Sequence, residues 1–416
     1  MNTNLQECVL EPNGARFFRG DLHIHSYRAS HDVPDSSMTP AEIIATAVQE
    51  KLAIIAIADH NEISNVSEAM AEGNAAGVLV VPAVELSTPE GHLLCYLPDI
   101  DRLTQFHGRL SLAGRGTQES RCRSTMRECL DLAKDLSGFC ILAHVDGGNG
   151  YETNHPGGAP AKQDIICHPA LLGIELVNAA SVVTFAPGDP DPARVQLGRF
   201  RNAQLGYGEK QALARVLNSD SHRLTALGRN ASEAKKLTRY KMTKPTFEGL
   251  RHALEEGDSR IRLEDEIPNS TPFVLGASFV GGFLKDQRIH FSSNLNCIIG
   301  GRGTGKSTTF EAVRCLAGDR SKERVVDSEV WPEALHLFWQ DEAGTQHSLI
   351  RPIHEDLLNL DNNDGGPVNF EIDCFGQGEA ARVREEARED PLALMRYLDT
   401  FSCRRARRRR ASSQRP

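Results

Sequence analysis

The sequence predicts an α/β fold, and three observations lead to that prediction. Short apolar strands alternate with amphipathic helices over residues 16–263. Most of these strands end in a His, Asp or Glu. A glycine-rich phosphate-loop pattern follows in a separate segment at 300–307. Repeated strand–helix units favour a parallel sheet, either open or closed into a barrel.

The elements follow one another in a regular order. The first strand is "RGDLHIHS", and the next helix begins with Thr39 as N-cap, Pro40 at the first helical position and Glu42 completing a capping box. Later strands are predicted at 53–59, 78–86, 92–97, 139–144 and 173–178, and helices at 67–77, 119–136, 209–217 and 246–257. The Gly/Pro/Asn-rich stretch 146–170 is typical of a functional loop.

Composition narrows the class of protein. A length of 416 residues predicts two to three domains, and the chain has neither an 18-residue apolar run nor a signal-peptide pattern, so we expect a cytoplasmic location. Ten cysteines stand singly without a CxxC pair. This spacing argues against a disulfide framework and a structural zinc finger.

The net charge of −9 is unevenly distributed. The final stretch, "CRRARRRRASSQRP", contains seven arginines and no acidic residue, so the remainder is more acidic than the total suggests. An acidic body is not a general nucleic-acid binder, whereas the tail could be one. A second interpretation stays open, in which the tail is a non-native sequence.

Polar residues at the strand ends predict a metal centre. His23 and His25 alternate along one strand, so their side chains share a face and can grip one ion. The other strand-end candidates are Asp59, His60, Glu85, His92, His144, Asp220 and His222. Mixed imidazole and carboxylate sets suit Zn²⁺, Mn²⁺ or Fe²⁺. Their number exceeds the coordination of one ion, so two or three metals are expected.

These motifs carry a family resemblance. "DLHIHS", "IADHN", "VPAVELS", "GHLLCYL", "LAHVD" and "NSDSH" stand in the order found in the PHP (polymerase and histidinol phosphatase) superfamily. The resemblance spans about 16–263 and implies a distorted (β/α)7 barrel with a trinuclear metal site and phosphoesterase activity. It assigns as ligands His23, His25, His60, Glu85, His92, His144, Asp220 and His222. The family's "S-D-G" ligand is replaced by "YRASHDVPD", where His31 and Asp32 compete and we favour Asp32.

Further roles are expected around these ligands. A metal-activated water is the expected nucleophile, with Asp220 and His222 at the reaction centre. Asp59 either orients a ligand or caps a turn, and Asn178 either touches substrate or bonds within its loop. Arg223, Arg28 and Arg229 either clamp a phosphate or lie on the surface. His107, His155, His168 and His252 match no motif and are expected at the surface or in loops.

The phosphate loop predicts nucleotide binding. An apolar strand, "LNCII", precedes it and a helix, "TTFEAVRCLA", follows it, as the motif requires. Backbone amides at a helix N-terminus would cradle the phosphates of ATP bound with Mg²⁺. The predicted cofactor-binding residues are Gly300, Gly303, Gly305, Lys306, Ser307 and Thr308.

The stretch from "SFVGG" to "FEAVR" resembles the N-terminal lobe of SMC-like ABC ATPases. That resemblance places Gln377 as the Q-loop residue, and the pairing with a PHP domain is similar to TrlF-type proteins. No Walker B strand or "LSGGQ"-like signature follows, and "FEIDCF" is too polar for the former. We therefore expect a C-terminally truncated, partial P-loop NTPase lobe that binds nucleotide without hydrolysing it, and that could dimerise in a longer protein.

Four segments result: an N-terminal extension 1–15, a PHP-like domain 16–265, a partial ATPase lobe 272–402 and the Arg-rich tail 403–416. The leading hypothesis is a metal-dependent phosphoesterase acting on nucleic acid or nucleotides. The first alternative is an SMC-like, nucleotide-driven DNA-associated protein with a structural or sensing barrel. A metal-binding but catalytically silent barrel is the third hypothesis.

Overall fold

The chain folds into two compact units, Gly14–Asn269 and Ser270–Pro416 together with Met1–Asn13. A computed structural model describes residues 13–148, 150–209, 211–229, 237–263, 271–316, 330–341, 343–352, 355, 357–361, 379–390 and 392–397. The Arg-rich tail, most of the N-terminal extension, "FEIDCF" and Gln377 lie outside the described residues.

The first unit contains two five-stranded sheets. Its strands are β1 (Arg16–Ile24), β2 (Ile54–Ile57), β3 (Leu79–Val80), β4 (Ala83–Thr88), β5 (Gly91–Tyr96), β6 (Leu112–Ala113), β7 (Arg121–Cys122), β8 (Phe139–Leu142), β9 (Leu171–Glu175), β10 (Ala214–Val216), β11 (Thr238–Met242) and β12 (Ile261–Leu263). One sheet has the order β12-β11-β1-β2-β3 and the other β10-β9-β8-β5-β4, while β6 and β7 form a separate two-stranded ribbon.

Helices connect these strands. They are α1 (Pro40–Gln49), α2 (Val66–Ala76), α3 (Ile100–Arg109), α4 (Met126–Asp135), α5 (Tyr151–Asn154), α6 (Pro160–Ile166), α7 (Pro192–Leu205), α8 (Phe247–Glu255) and α9 (Gly257–Arg260). The start of α1 agrees with the prediction in two respects, because the Thr39 side chain accepts a hydrogen bond from the Glu42 amide and Pro40 is the first helical residue. The predicted capping box is not formed, since the Thr39 amide donates to the Ser37 carbonyl instead of the Glu42 side chain. Gly77 ends α2 in the left-handed conformation that glycine adopts readily.

The predicted parallel pairing is found in part of each sheet, and the rest of each sheet is antiparallel. β1, β2 and β3 are parallel, as are β8, β9 and β10, but β5 runs antiparallel to both β4 and β8. β11 is also antiparallel to β1. The reason is local for β4 and β5, because only two residues separate them and so short a turn allows only antiparallel pairing.

Two isolated parallel bridges link the strand ends of the two sheets. Ile24 pairs with Ser221, and His60 pairs with Glu85. Between the strands lies an apolar core in which the Tyr96 and Phe139 rings stack with centroids 5.1 Å apart. The Tyr96 hydroxyl donates a hydrogen bond to the Leu22 carbonyl at 2.8 Å, which ties β5 to β1. The strand ends are thereby held close together.

Two predicted helices are corrected. Residues 119–136 are helical only from Met126, because β7 occupies Arg121–Cys122. The predicted helix at 209–217 contains β10 instead, which pairs in parallel with β9. Its apolar run is short, and periodicity alone does not separate a short buried strand from a helix.

The second unit is built on an antiparallel sheet with the order β14-β13-β15-β16-β17. Its elements are β13 (Phe273–Val280), β14 (Arg288–His290), α10 (Lys306–Leu316), β15 (Ala334–Gln340), β16 (Gln346–Pro352), β17 (Leu358–Asn359) and α11 (Glu379–Glu389). The core of this unit includes Ala277, Ala312, Leu337 and Leu349.

The strand predicted at "LNCII" is wrong. Residues 295–299 are not in a strand, and Leu295 and Ile299 are each 89% exposed. An apolar run forms a strand only beside a hydrogen-bonding neighbour, and the five sheet strands of this unit come from other segments. The helix predicted after the loop is present as α10. None of the described helices has the length and apolarity to cross a membrane.

Candidate metal centre

The first two predicted ligands lie at the end of β1. His23 and His25 are fully buried, and their Nε2 atoms are 3.1 Å apart. The far side of each ring is held by another side chain: His23 Nδ1 lies 3.1 Å from both carboxylate oxygens of Glu175, and His25 Nδ1 lies 3.1 Å from Ser30 Oγ. Both rings therefore point their Nε2 atoms into the same space.

Glu85, on β4, is surrounded by five histidines. Its Oε2 lies 3.1 Å from His23 Nε2, 3.4 Å from His25 Nε2 and 3.0 Å from His60 Nδ1. Its Oε1 lies 2.8 Å from His92 Nδ1 and 3.3 Å from His144 Nε2. This single carboxylate thus joins histidines from four separate segments of the chain.

The remaining candidates gather on the other side of the centre. Asp220 Oδ1 is 3.1 Å from His25 Nε2 and 3.5 Å from His23 Nε2. Asp32 Oδ2 is 3.0 Å from His222 Nε2 and 3.2 Å from His60 Nε2. Asp32 therefore has the ligand-like position, while the ring of its rival His31 contacts that of His60 at 5.5 Å.

Charge and burial shift the pKa values in opposite directions across the centre. Burial would raise the pKa of Glu85, but His23 and His60 hold it well below its usual value. Burial lowers the pKa of His25 to about 4, assisted by the neighbouring His23 and His60. His25 is thus neutral near pH 7, and a neutral imidazole is the form that binds a metal.

Three groups of side chains converge closely enough to hold a metal ion. Within each group the ligand atoms lie within 4.8 Å of one another; the groups are His25, Asp32, His60 and His222; His23, His25 and Asp220; and His60, Glu85 and His92. Because His25 and His60 belong to two groups each, the three positions share ligands. His144 stands outside these groups but contacts Glu85.

The donor atoms fit a divalent metal. His60 Nδ1 and Glu85 Oε2 are buried and 3.0 Å apart, at ion-pair distance but without the geometry of a hydrogen bond. Buried polar atoms without a well-aligned hydrogen bond are costly unless a ligand satisfies them. Imidazole nitrogens mixed with carboxylate oxygens are the donors that Zn²⁺, Mn²⁺ and Fe²⁺ accept.

Asp59 lies behind the ligands rather than among them. Its carboxylate accepts hydrogen bonds from the backbone amide of Ser26 at 2.6 Å and from the Ser26 hydroxyl at 2.5 Å. Burial raises the pKa of Asp59 to about 7. The contacts favour the orienting role over the turn-capping one, because Asp59 fixes the backbone directly after His25.

The predicted arginines differ in their surroundings. Arg229 pairs with Glu50 at 2.9 Å, and Arg28 is exposed with its guanidinium 5.5 Å from the Tyr27 ring centre. Arg223 is also exposed and lies one residue after His222. Asn178 is exposed, and its side chain accepts a hydrogen bond from the Ala180 amide. This contact corresponds to the second expectation for Asn178, a hydrogen bond within its own loop.

Sequence reasoning missed Glu175, at the end of β9. It is 2% exposed, bonds His23 Nδ1, accepts from the His144 amide at 3.2 Å and accepts from Asn218 Nδ2 at 2.6 Å. A carboxylate within the apolar run "LLGIELV" was the available signal. The expectation that His107 lies at the surface or in a loop is wrong, since it is 6% exposed and lies on α3; His168 is 3% exposed but lies in the loop after α6, as the second alternative has it.

His107 has a role near the centre. Its Nε2 bonds the carbonyl of Asn61 at 2.9 Å, and Asn61 follows His60 directly. Asn61, His144 and Asp220 all have positive φ angles, 53°, 31° and 48°. Non-glycine residues in this region cost free energy, and such strain clusters at functional sites.

The phosphate loop of the second unit is more exposed. Gly303 and Gly305 have φ angles of 79° and 85°, which glycine tolerates. Lys306 Nζ donates to the Gly301 carbonyl at 2.5 Å, and Ser307 is exposed at the start of α10. Gly300 is exposed and Thr308 half-buried. The predicted residues other than Gln377 therefore surround one helix N-terminus.

Two family models match the chain. Residues 21–153 match the PHP domain, and residues 278–389 match an AAA domain. The resemblance of the first unit to the PHP superfamily and of the second to an ATPase is thereby confirmed. No match is found among curated proteins.

Solved structures show weaker similarity. Endonuclease Q from Pyrococcus furiosus, described as lesion-specific, is 18% identical, with a TM-score of 0.43 over 60% of this chain and 58% of its own. Endonuclease Q bound to a 27-mer duplex with an abasic lesion is also 18% identical, with a TM-score of 0.42 over 60% of this chain and 58% of its own. A Bifidobacterium adolescentis protein described as a metal-dependent phosphoesterase is 16% identical, with a TM-score of 0.35 over 56% of this chain and 95% of its own. This chain spans 58% of the endonuclease Q length, and TM-scores below 0.5 assign neither fold nor activity.

Proposed function

We propose that the first unit is a metal-dependent phosphoesterase that hydrolyses phosphate esters of nucleic acid or nucleotides. One observation carries the proposal: Glu85 contacts five histidines, and its Oε2 atom and His60 Nδ1 are buried at 3.0 Å without forming a hydrogen bond. The match of residues 21–153 to the PHP domain supports the same class of site.

The proposed ligands are the nine predicted residues, with two or three divalent ions of Zn, Mn or Fe. They are His23, His25, Asp32, His60, Glu85, His92, His144, Asp220 and His222. When bound, such ions lower the pKa of water and neutralise charge on phosphoryl oxygens. In the hydrolysis, a water oxygen forms a bond to phosphorus as the ester oxygen leaves with a proton.

The chain's own residues prepare this centre. Glu175 fixes the ring of His23 through Nδ1, so that His23 Nε2 faces the ligand cluster. Asp59 fixes the backbone after His25 through Ser26. Arg223, exposed beside His222, is proposed to contact a phosphoryl oxygen. Hydrogen bonds of this supporting kind set ligand orientation and affinity.

We further propose that the two sheets of the first unit close into the distorted (β/α)7 barrel. The bridges between Ile24 and Ser221 and between His60 and Glu85 support this, because they join the sheets at both β1 and β2. The proposed extents are 16–265 for this domain and 272–402 for the lobe that follows.

For the second unit we propose binding of ATP with Mg²⁺ at the phosphate loop. The AAA match and the glycine-rich turn before α10 support it. Lys306 would reach the terminal phosphates and Ser307 the magnesium ion. Dimerisation through this lobe in a longer protein is part of the same proposal.

The first experiment is hydrolysis of a simple phosphodiester and a phosphomonoester with Mn²⁺. The wild type is compared with Asp220→Asn/His222→Ala. We expect turnover by the wild type alone, and the preferred ester separates a nuclease from a phosphatase. A wild type that retains metal but hydrolyses neither ester contradicts the proposal and favours the silent barrel.

A further inference from the structure

An arginine-rich segment begins at the last residue of α3 and leads to α4. This arginine ribbon, residues 109–123, contains the β6–β7 pair, four arginines and one acidic residue, Glu119. The arginines, all exposed, are Arg109, Arg115, Arg121 and Arg123. Four arginines and one glutamate give this segment a net charge of +3 in a chain whose net charge is −9.

The four ribbon arginines have no carboxylate partner among the described residues. Arginines on the flanking helices do: Arg102 pairs with Asp99 at 2.8 Å and Arg127 pairs with Asp131 at 2.9 Å. The contrast is local, because these pairs lie immediately before and after the ribbon. Its positive charges are therefore not neutralised by the described part of the protein.

The ribbon is fastened to the metal centre. Asn61, which follows the ligand candidate His60, donates from Nδ2 to Ser120 Oγ at 3.3 Å, and its amide donates to the Glu85 carbonyl at 2.8 Å. β7 packs against β4, the strand that carries Glu85. Asn61 thus connects the ribbon to two proposed ligands, His60 next to it in the sequence and Glu85 through a backbone hydrogen bond.

Arg121 is the ribbon arginine next to this attachment. Its Nη1 donates to the carbonyls of Ser120 at 2.7 Å and Gln118 at 3.2 Å, and its other guanidinium donors make no hydrogen bond to a described residue. Arg121 thus directly follows Ser120, the residue through which the ribbon is hydrogen-bonded to Asn61.

We propose that the arginine ribbon binds the phosphate backbone of a nucleic-acid strand and leads one of its phosphodiesters to the metal centre. This rests on the proposed phosphoesterase function and selects a polyanionic substrate for it. A small phosphate ester can engage one or two guanidinium groups, whereas four arginines along 15 residues match a chain of phosphates. An otherwise acidic protein also needs a local positive surface to hold a polyanion.

The test measures oligonucleotide binding by the full chain. Affinity for a fluorescein-labelled single-stranded 20-mer is measured by anisotropy in EDTA at several KCl concentrations. For Arg115→Gln/Arg123→Gln we expect at least about tenfold weaker binding and a salt slope reduced by about 1.4, or about 0.7 per lost phosphate contact. Arg115→Lys/Arg123→Lys should retain the slope, because the charge remains.

The matched control is Arg102→Gln/Arg127→Gln, which removes the same charge from paired arginines. We expect its affinity and slope to stay within twofold of wild type. If both double variants bind alike, the ribbon proposal is overturned even where the wild type hydrolyses small esters.

Turnover separates the two proposals. The ratio of kcat/KM for the 20-mer to that for bis(p-nitrophenyl) phosphate should fall about tenfold in the ribbon variant. If no ester is hydrolysed but the ribbon variant alone loses oligonucleotide affinity, the phosphoesterase proposal fails and the binding surface stands. An unchanged ratio together with an unchanged affinity overturns the ribbon proposal.

Discussion

The two units present their candidate binding groups in opposite surroundings. In the first, His23, His25 and Glu85 are at most 1% exposed and are held by one another and by residues behind them. In the second, the phosphate loop is largely exposed, and Ile299, just before it, is 89% exposed. The difference teaches that a motif and a preorganised site are separate properties, because only the first unit fixes its groups by packing.

The largest expected effect is that of Glu85→Gln in the buried centre. Removing the charge that joins five histidines should reduce bound metal and lower phosphodiester turnover by about 10³-fold, since metals supply several kcal/mol of stabilisation. Metal content by mass spectrometry and turnover with Mn²⁺ measure this. Glu248→Gln, at an exposed position on α8, serves as control, and retention of full metal content by Glu85→Gln would contradict the assignment.

Metal addition should stabilise the first unit more than nucleotide addition stabilises the second. A ligand at 100 times its Kd contributes about 2.7 kcal/mol to the folded state. Thermal unfolding with EDTA and with Mn²⁺ should therefore show a higher Tm with metal. The shift should shrink in Asp220→Asn/His222→Ala, and an equal shift in both proteins would show that the metal binds elsewhere.

Glu175→Gln tests whether the support behind the ligands matters. Glu175 orients His23 and bonds the His144 amide, so we expect metal affinity to fall about 10- to 100-fold. Competition with a fluorescent chelator measures this change. The folded state should be retained by circular dichroism, and an unchanged affinity would make Glu175 a purely structural residue.

The smallest effect is expected in the second unit. Lys306→Ala should weaken ATP binding about tenfold, because one phosphate-binding charge is lost, while metal content of the first unit stays the same. Fluorescence titration with a labelled ATP analogue follows the binding. If the wild type binds no nucleotide at all, the exposed loop is not a site and the contrast between the units becomes sharper.

The candidate ligands could be found from the sequence because their signals are local. An H-x-H pair and polar strand ends identify ligand candidates one strand at a time, and these nine side chains lie together in the structure. The supporting role of Glu175 was not predicted, because its partners His23 and Asn218 lie far from it in the sequence. Supporting residues of this kind are defined by tertiary contacts, which have no periodic signature.

The errors in the fold have similar causes. The mixed sheets depend on which strands become neighbours, and strand–helix alternation does not specify this for β5 or β11. The short run that forms β10 read equally well as a helix. At 295–299, apolar character predicted a strand, but pairing decides whether one forms.

The left-handed backbone at Asn61, His144 and Asp220 has a consequence for laboratory evolution. Each such residue costs about 1 kcal/mol or more, and glycine would remove that cost. A screen that rewards heat resistance in a metal-chelating medium, where the proposed ligands add no metal-linked stability, should therefore enrich Asp220→Gly and His144→Gly. Selection for thermal stability would favour glycine at these positions, whereas selection for metal-dependent activity would retain the proposed ligands.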